Sequence, residues 1–270
     1  MNKLTEFSNE KIFSRLLKNK SSKNYWKFIL ELRKRKTKDI FDKAIELTSS
    51  EISKDKIIGI NILAQFGHPR LHVKKILSTL FKLLKNETDK NVISSILYGI
   101  GHNNENLTEK QIEIICSYQD HKSVNVRHSI VSSLLAVEKT QAIKTLIKLS
   151  KDKSPDVRDW ATFGLGIQIE LDNELIREAL WCRTYDSDKA TRNEAIFGLA
   201  KRKDERIKEI LQSELENIDE LGSLILESIE EFNDKDFINL IEKQIITNKE
   251  LKKVDEEWLE DTLKKLKENK

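Results

Sequence analysis

The chain has 270 residues, of which 34% are charged and 38% apolar, and a formal net charge of +3. Eight Gly and two Pro are too few for a chain rich in hairpins and tight loops, which points to helices. No apolar run approaches the roughly 18 residues of a membrane span, and two lone cysteines make no disulfide framework. The opening "MNKLTEFSNEKIF" lacks the apolar core of a signal peptide, so a cytoplasmic, non-membrane protein is expected. Charge is uneven: residues 1–100 hold 21 Lys+Arg against 10 Asp+Glu, and residues 151–270 hold 21 against 30. Such a field can steer an anionic partner to the basic half; the competing reading is drift in a Lys-rich surface.

Along the chain, residues 1–20 read as an N-terminal cap. Helix starts then recur at Ser21, Asp55, Asp89, Ser123, Ser154 and Asp188, at intervals of 34, 34, 34, 31 and 34 residues. All six are Ser or Asp, whose side chains can accept a bond from a first-turn N–H, and Pro155 follows Ser154 where no N–H is needed. Three residues after each start come Asn24, Ile58, Val92, Val126, Val157 and Thr191. Four further on come Phe28, Ile62, Ile96, Ile130, Ala161 and Ala195, and four beyond those Leu32, Phe66, Ile100, Leu134, Leu165 and Leu199. Steps of four place them on one helical stripe. Gly67, Gly101 and Gly166 come next and are expected to end their helices in the left-handed conformation.

Between these helices lie "VKKILSTLFKLLKN", "EKQIEIICSYQ", "QAIKTLIKLSKD", "NELIREALWCRTY" and "ERIKEILQSELE", each amphipathic at helical spacing. Each repeat is thus a helix pair that buries its apolar face only by stacking on its neighbours. Six repeats and a degenerate seventh, "GSLILESIEEFNDKDFINLIEKQI", occupy residues 21–245. Residues 250–270 read as a capping helix with Leu251, Val254, Trp258, Leu259, Thr262, Leu263 and Leu266 on its inner side. No linker interrupts the array, so a single domain over 1–270 is expected.

Asp152 and Arg158, like Asp186 and Arg192, are six residues apart and precede small and apolar residues; in the first of these repeats they end in Leu-Gly. This resembles HEAT repeats, in particular those named after phycobilisome lyases. The resemblance implies an all-α fold: a right-handed α-α superhelix, or HEAT-like solenoid, of about seven helix pairs plus the C-terminal capping helix. It also implies that Asp152, Arg158, Asp186 and Arg192 pair between neighbouring repeats in a ladder, and that the second helix of each pair lines the concave side. Earlier repeats depart from the pattern, with Tyr25, Gly59 and Ile93 at the Arg position.

The repeat register isolates residues it does not explain. Trp160 stands where other repeats have Lys27, Asn61, Ser95, Ser129 and Glu194. Away from the core stripe lie Trp26, Ile60, Ser94, His128, Asp159 and Asn193, then Leu30, Ala64, Tyr98, Ser132, Phe163 and Phe197. An apolar row exposed there would be a binding groove; burial between repeats is the competing reading. The candidate partner-binding residues are therefore Trp26, Tyr98, His128, Asp159, Trp160, Phe163 and Phe197. The run "RKRKTK" reads as a basic segment between helices, with Arg33, Lys34 and Arg35 offered to phosphate or an acidic partner. His68 and His72 have a metal-compatible spacing but no third ligand, and Cys116 and Cys182 read as core thiols. No catalytic motif, metal site or cofactor fingerprint is present.

These features favour a non-enzymatic, monomeric scaffold holding a protein or peptide on its concave face; family use suggests an inhibitory or immunity-type role. The alternative is a nucleic-acid-binding protein such as a HEAT-like DNA-alkylpurine glycosylase. Against it, the Trp-x3-Asp element of that family is missing, and the nearest substitute is Asp159 beside Trp160. A chromophore lyase, suggested by the subclass name, finds no site here.

Overall fold

The computed structural model describes residues 3–220 and 222–268, and among them all regular structure is helical. The chain divides into two compact units, residues 1–137 and 138–270.

The first unit contains four helix pairs: α1 (Asn9–Leu17) with α2 (Ser22–Arg35), α3 (Lys38–Thr48) with α4 (Ser53–Ala64), α5 (Val73–Leu84) with α6 (Lys90–Gly101), and α7 (Glu109–Cys116) with α8 (Val124–Leu134). The second helices stack in order, α2 on α4, α4 on α6 and α6 on α8. Their facing stripes, Ile58, Ile62 and Phe66 or Val92, Ile96 and Ile100, are buried, which removes apolar surface from water at about 25 cal/mol per Å2. Ser21 and Asp89 accept first-turn bonds from Asn24 N and Asn91 N as N-caps should. Asp89 also accepts from Ser53 Oγ at 2.6 Å, tying α6 to the start of α4.

The second unit repeats the plan with α9 (Thr140–Leu149) and α10 (Pro155–Phe163), α11 (Glu174–Trp181) and α12 (Lys189–Lys201), α13 (Lys208–Glu216) and α14 (Ser223–Phe232), and α15 (Phe237–Leu251) and α16 (Glu256–Glu268). Here α10, α12, α14 and α16 stack in order. Eight pairs therefore form among the described residues. The segments read as caps each supply a pair member: α1 packs on α2, and α16 packs on both α15 and α14.

Several local expectations are corrected. Helix α4 starts at Ser53 with Ile52 as N-cap, so Asp55 sits in its first turn, where a carboxylate favours the helix dipole. Ser154 precedes α10 but makes no capping bond; its own N–H donates to Asp152 Oδ1 at 2.8 Å. Asn24 is exposed rather than core, because α2 begins the stack and has a neighbour on one side. Trp258 is exposed too, since α16 buries Leu259, Thr262 and Leu266 against its neighbours instead. Cys116 is buried, but Cys182 is exposed at the end of α11.

Of the three glycines, Gly67 alone has the left-handed conformation, at φ 82°. Gly101 and Gly166 serve close approach. A Cβ on Gly101 would come within 2.6 Å of Ser132 O, and one on Gly166 within 2.9 Å of Glu194 O. A β-carbon does not tolerate such distances, so these glycines let second helices touch through their backbones.

Candidate functional site

In the second unit the residues left over by the register gather on α10 and α12. Val157 and Ala161, four apart, face the core, which turns Asp159, Trp160 and Phe163 away from it. Trp160 is 41% exposed and meets Phe163 edge-on, ring centroids 5.6 Å apart. Beyond Phe163 the helix widens into one π-helical turn, Gly164–Gln168, closed by Ile169 N donating to Gly164 O at 3.1 Å. This turn presents Gly166 to Gly198 of α12, where a Cβ on Gly198 would lie 2.5 Å from Gly166 Cα. Glu194 stands one turn before Gly198, so the same approach draws it toward α10.

Glu194 stands at a repeat position that is polar in most repeats, yet it is the most perturbed carboxylate among the described residues of the unit. Burial, then the charges of Asp159 and Glu227, pushes its carboxyl up to about 7. Burial, then Asp188 and Asp156, also raises Asp159. Asp159 Oδ1, Glu194 Oε2 and Asn193 Oδ1 are buried atoms with no hydrogen-bond donor among the described residues. Unmet acceptors beside exposed rings attract a donor or a positive charge. Phe197, three residues past Glu194, is half-buried.

Arg158 lies elsewhere. Its Nε and Nη2 donate to the two carboxylate oxygens of Asp186 at 2.9 and 2.8 Å, and its Nη1 donates to Asp152 O at 3.0 Å. Burial opposes the charge of Asp186, but the Arg158 bonds, the Asp188 N–H and the charges of Arg158 and Arg183 together outweigh it and keep the carboxyl below its ordinary range. Arg192 Nη1 donates to Asp186 O at 2.7 Å. Asp152, Arg158, Asp186 and Arg192 thus brace the turns that precede α10 and α12.

In the first unit Trp26 (46% exposed) and Tyr98 (38%) line a cavity of about 440 Å3 with Arg33, Asn61, Gln65 and His102. Tyr98 Oη is hydrogen-bonded to His128 Nδ1 at 2.8 Å. Arg33 donates to Asn61 O and Gln65 Oε1, and burial draws its guanidinium down to about 10. Burial, then Arg70 and Arg33, likewise lowers His102.

The basic run is not a loop. Arg33, Lys34 and Arg35 form the last turn of α2. Arg35 donates to the carbonyls of Leu4, Thr5 and Phe7 and so anchors the N-terminal turn; Lys34 is exposed. Nor is the non-core row open throughout: Ile60, Ala64, Ser94 and Asn193 are buried, because second helices are covered on both flanks by the next in the stack. His72 packs on the Phe41 ring, centroids 4.5 Å apart.

The seven expected contact residues therefore fall into two groups, Trp26, Tyr98 and His128 in one unit and Asp159, Trp160, Phe163 and Phe197 in the other. Glu194 escaped sequence reasoning because an acid at a polar register position looks solvated; only its approach to α10 and α14 makes it unusual. Arg202 was missed as well. It is 7% exposed and donates to the carbonyls of Leu165, Gly166, Ile169, Leu171 and Gly198. Those of Leu165, Gly166 and Ile169 lie in or just after the π turn and that of Gly198 in the last turn of α12, where helical donors run out. No helix among the described residues is long and apolar enough to cross a membrane.

No protein-family model matches the chain. Over 124 residues it is 33% identical to Protein YibA of Escherichia coli strain K12, covering 46% of this chain and 44% of YibA. The same values hold for YibA of E. coli O157:H7. At that level the chain spans under half the length of the curated relatives it matches. The structural likeness extends further: the X-ray structure of E. coli YibA superposes with a TM-score of 0.78 at 27% identity, over 99% of this chain and 95% of that one. A crystal structure of an engineered protein superposes at 0.55 with 16% identity, over 98% and 81% of the chains, which speaks to fold alone. The chain is thus an all-helical repeat protein whose fold is similar to that of YibA over nearly its full length.

Proposed function

We propose that the chain is a non-enzymatic, HEAT-type binding scaffold that holds a protein or peptide on the open faces of its second helices. The observation that carries this reading is the pair Trp160 and Phe163, a solvent-exposed ring braced on a rigid helix beside acceptors without donors. Exposed aromatics on a preorganised surface are the usual anchors of a protein interface. Capture of a partner from the host by the tagged chain, compared with Trp160→Ala/Phe163→Ala, tests it. At least a tenfold loss of affinity by the folded variant is expected, and unchanged affinity overturns the site.

The nucleic-acid reading draws on the first unit, where 24 Lys+Arg face 14 Asp+Glu. Arg33 and Arg35 are already committed to carbonyls and side chains of the chain itself, and the second unit holds 24 Lys+Arg against 31 Asp+Glu, a sign that repels a phosphate track. Tight duplex-DNA binding that weakens steeply between 50 and 200 mM salt would favour that reading over ours.

A further inference from the structure

Resting on the scaffold reading, we propose that the α10–α12–α14 face of the second unit binds an arginine side chain of a basic peptide segment, with its guanidinium on Asp159 and Glu194 and its stem along Trp160 and Phe163. The first support is an excess of acceptors. Asp159 on α10 and Glu227 on α14 are both close enough to act on the charge of Glu194 on α12, and oxygens of Asp159 and Glu194 have no donor among the described residues.

Cations on these helices and on the neighbouring α16 are engaged elsewhere. Arg158 is held by Asp186, Lys189 by Asp219, Lys201 by Glu170 and Lys265 by Glu230. A folded chain seldom leaves buried acceptors and negative charge uncompensated, and a ligand carrying donors and a positive charge supplies both.

An independent feature points the same way. Asn193 occupies on α12 the register position that Asp159 occupies on α10. It is 7% exposed, and its Oδ1 is a third acceptor without a donor. A guanidinium presents five N–H donors in a planar fork, matching several acceptors at once where an ammonium offers three. The face of an exposed indole stabilises the same cation. Among the described residues no three carboxylate, histidine or cysteine groups gather closely enough to hold a metal ion, so the acceptors suit a larger, branched donor.

The test is calorimetric titration of the full chain at pH 8 with acetyl-Gly-Arg-Gly-Arg-Gly-Arg-amide and with its citrulline counterpart, which keeps shape and loses charge. The arginine peptide should bind at least tenfold more tightly than the citrulline peptide. Asp159→Asn/Glu194→Gln should weaken it tenfold or more, while Glu209→Gln/Glu216→Gln on the exposed face of α13, removing the same charge, should change it less than twofold. Affinity should also fall between pH 8 and pH 6 in the native chain and not in Glu194→Gln. Equal loss in both double variants, or full binding by Asp159→Asn/Glu194→Gln, overturns the proposal. Partner capture that still depends on Trp160 and Phe163 while the arginine peptide fails to bind overturns the arginine assignment and leaves the scaffold reading standing.

Discussion

Glu194→Gln should make the protein more stable at pH 8 and leave it nearly unchanged at pH 4. A carboxyl raised from 4.5 to about 7 binds its proton more tightly folded than unfolded. Its contribution to stability is complete below pH 4.5 and is lost as pH rises through 7. At about 1.4 kcal/mol per pH unit the full difference is about 3 kcal/mol; partial exposure of the side chain and solvent screening reduce it to roughly 1–2 kcal/mol. Glutamine keeps the shape, carries no charge, and removes that cost. The groups that set the effect are Asp159 on α10 and Glu227 on α14, together with burial. Thermal melts of both proteins at pH 4 and pH 8 read it directly. Nearly superimposable melts at pH 4 and a gain of about 3–8 °C at pH 8 are expected for a change of this size. A variant no more stable than the native chain at pH 8 would mean that Glu194 ionises without penalty, and the argument for an uncompensated acidic site would fail with it.

Three further outcomes follow from the packing of the second unit. Asp186→Ala strips Arg158 of its bidentate partner and leaves a nearly buried cation, so urea unfolding should show a loss of about 3 kcal/mol. Gly198→Ala ought to stabilise an ordinary helix interior by up to ~1 kcal/mol, but a Cβ 2.5 Å from Gly166 Cα forces α10 and α12 apart; a net loss of about 1–3 kcal/mol is expected in the same assay. Arg202→Met leaves five carbonyls without their donor and should cost about 3–5 kcal/mol, with hydrogen exchange accelerated across residues 164–171.

The helical repeat was legible because its signal is local. Val157, Ala161 and Leu165 recur at steps of four within one segment, and the same columns recur about 34 residues away. What the sequence hid depends on a third element. Ile60 and Ala64 look like an open face until a neighbouring second helix covers them. Gly101 and Gly166 look like helix stops, since a terminating glycine and one admitting a crossing backbone are the same letter; only the neighbour at 2.6 or 2.9 Å tells them apart. Trp160 announced itself by breaking a polar column. Glu194 and Arg202 broke none, because an acid or a base on a charge-rich helix carries no mark of burial.

The junction of α10 with α12 joins the Gly166–Gly198 backbone approach, the Arg158–Asp186 pair and the Arg202 bonds to the π turn. In a stacked array, assembly starts wherever one interface outweighs its neighbours and spreads by nearest-neighbour docking. The second unit is therefore expected to nucleate at this junction, with α14 and α16 added later. On that order the surface that carries Trp160 and Glu194 gains amide protection first and loses it last, which pulsed hydrogen exchange would read.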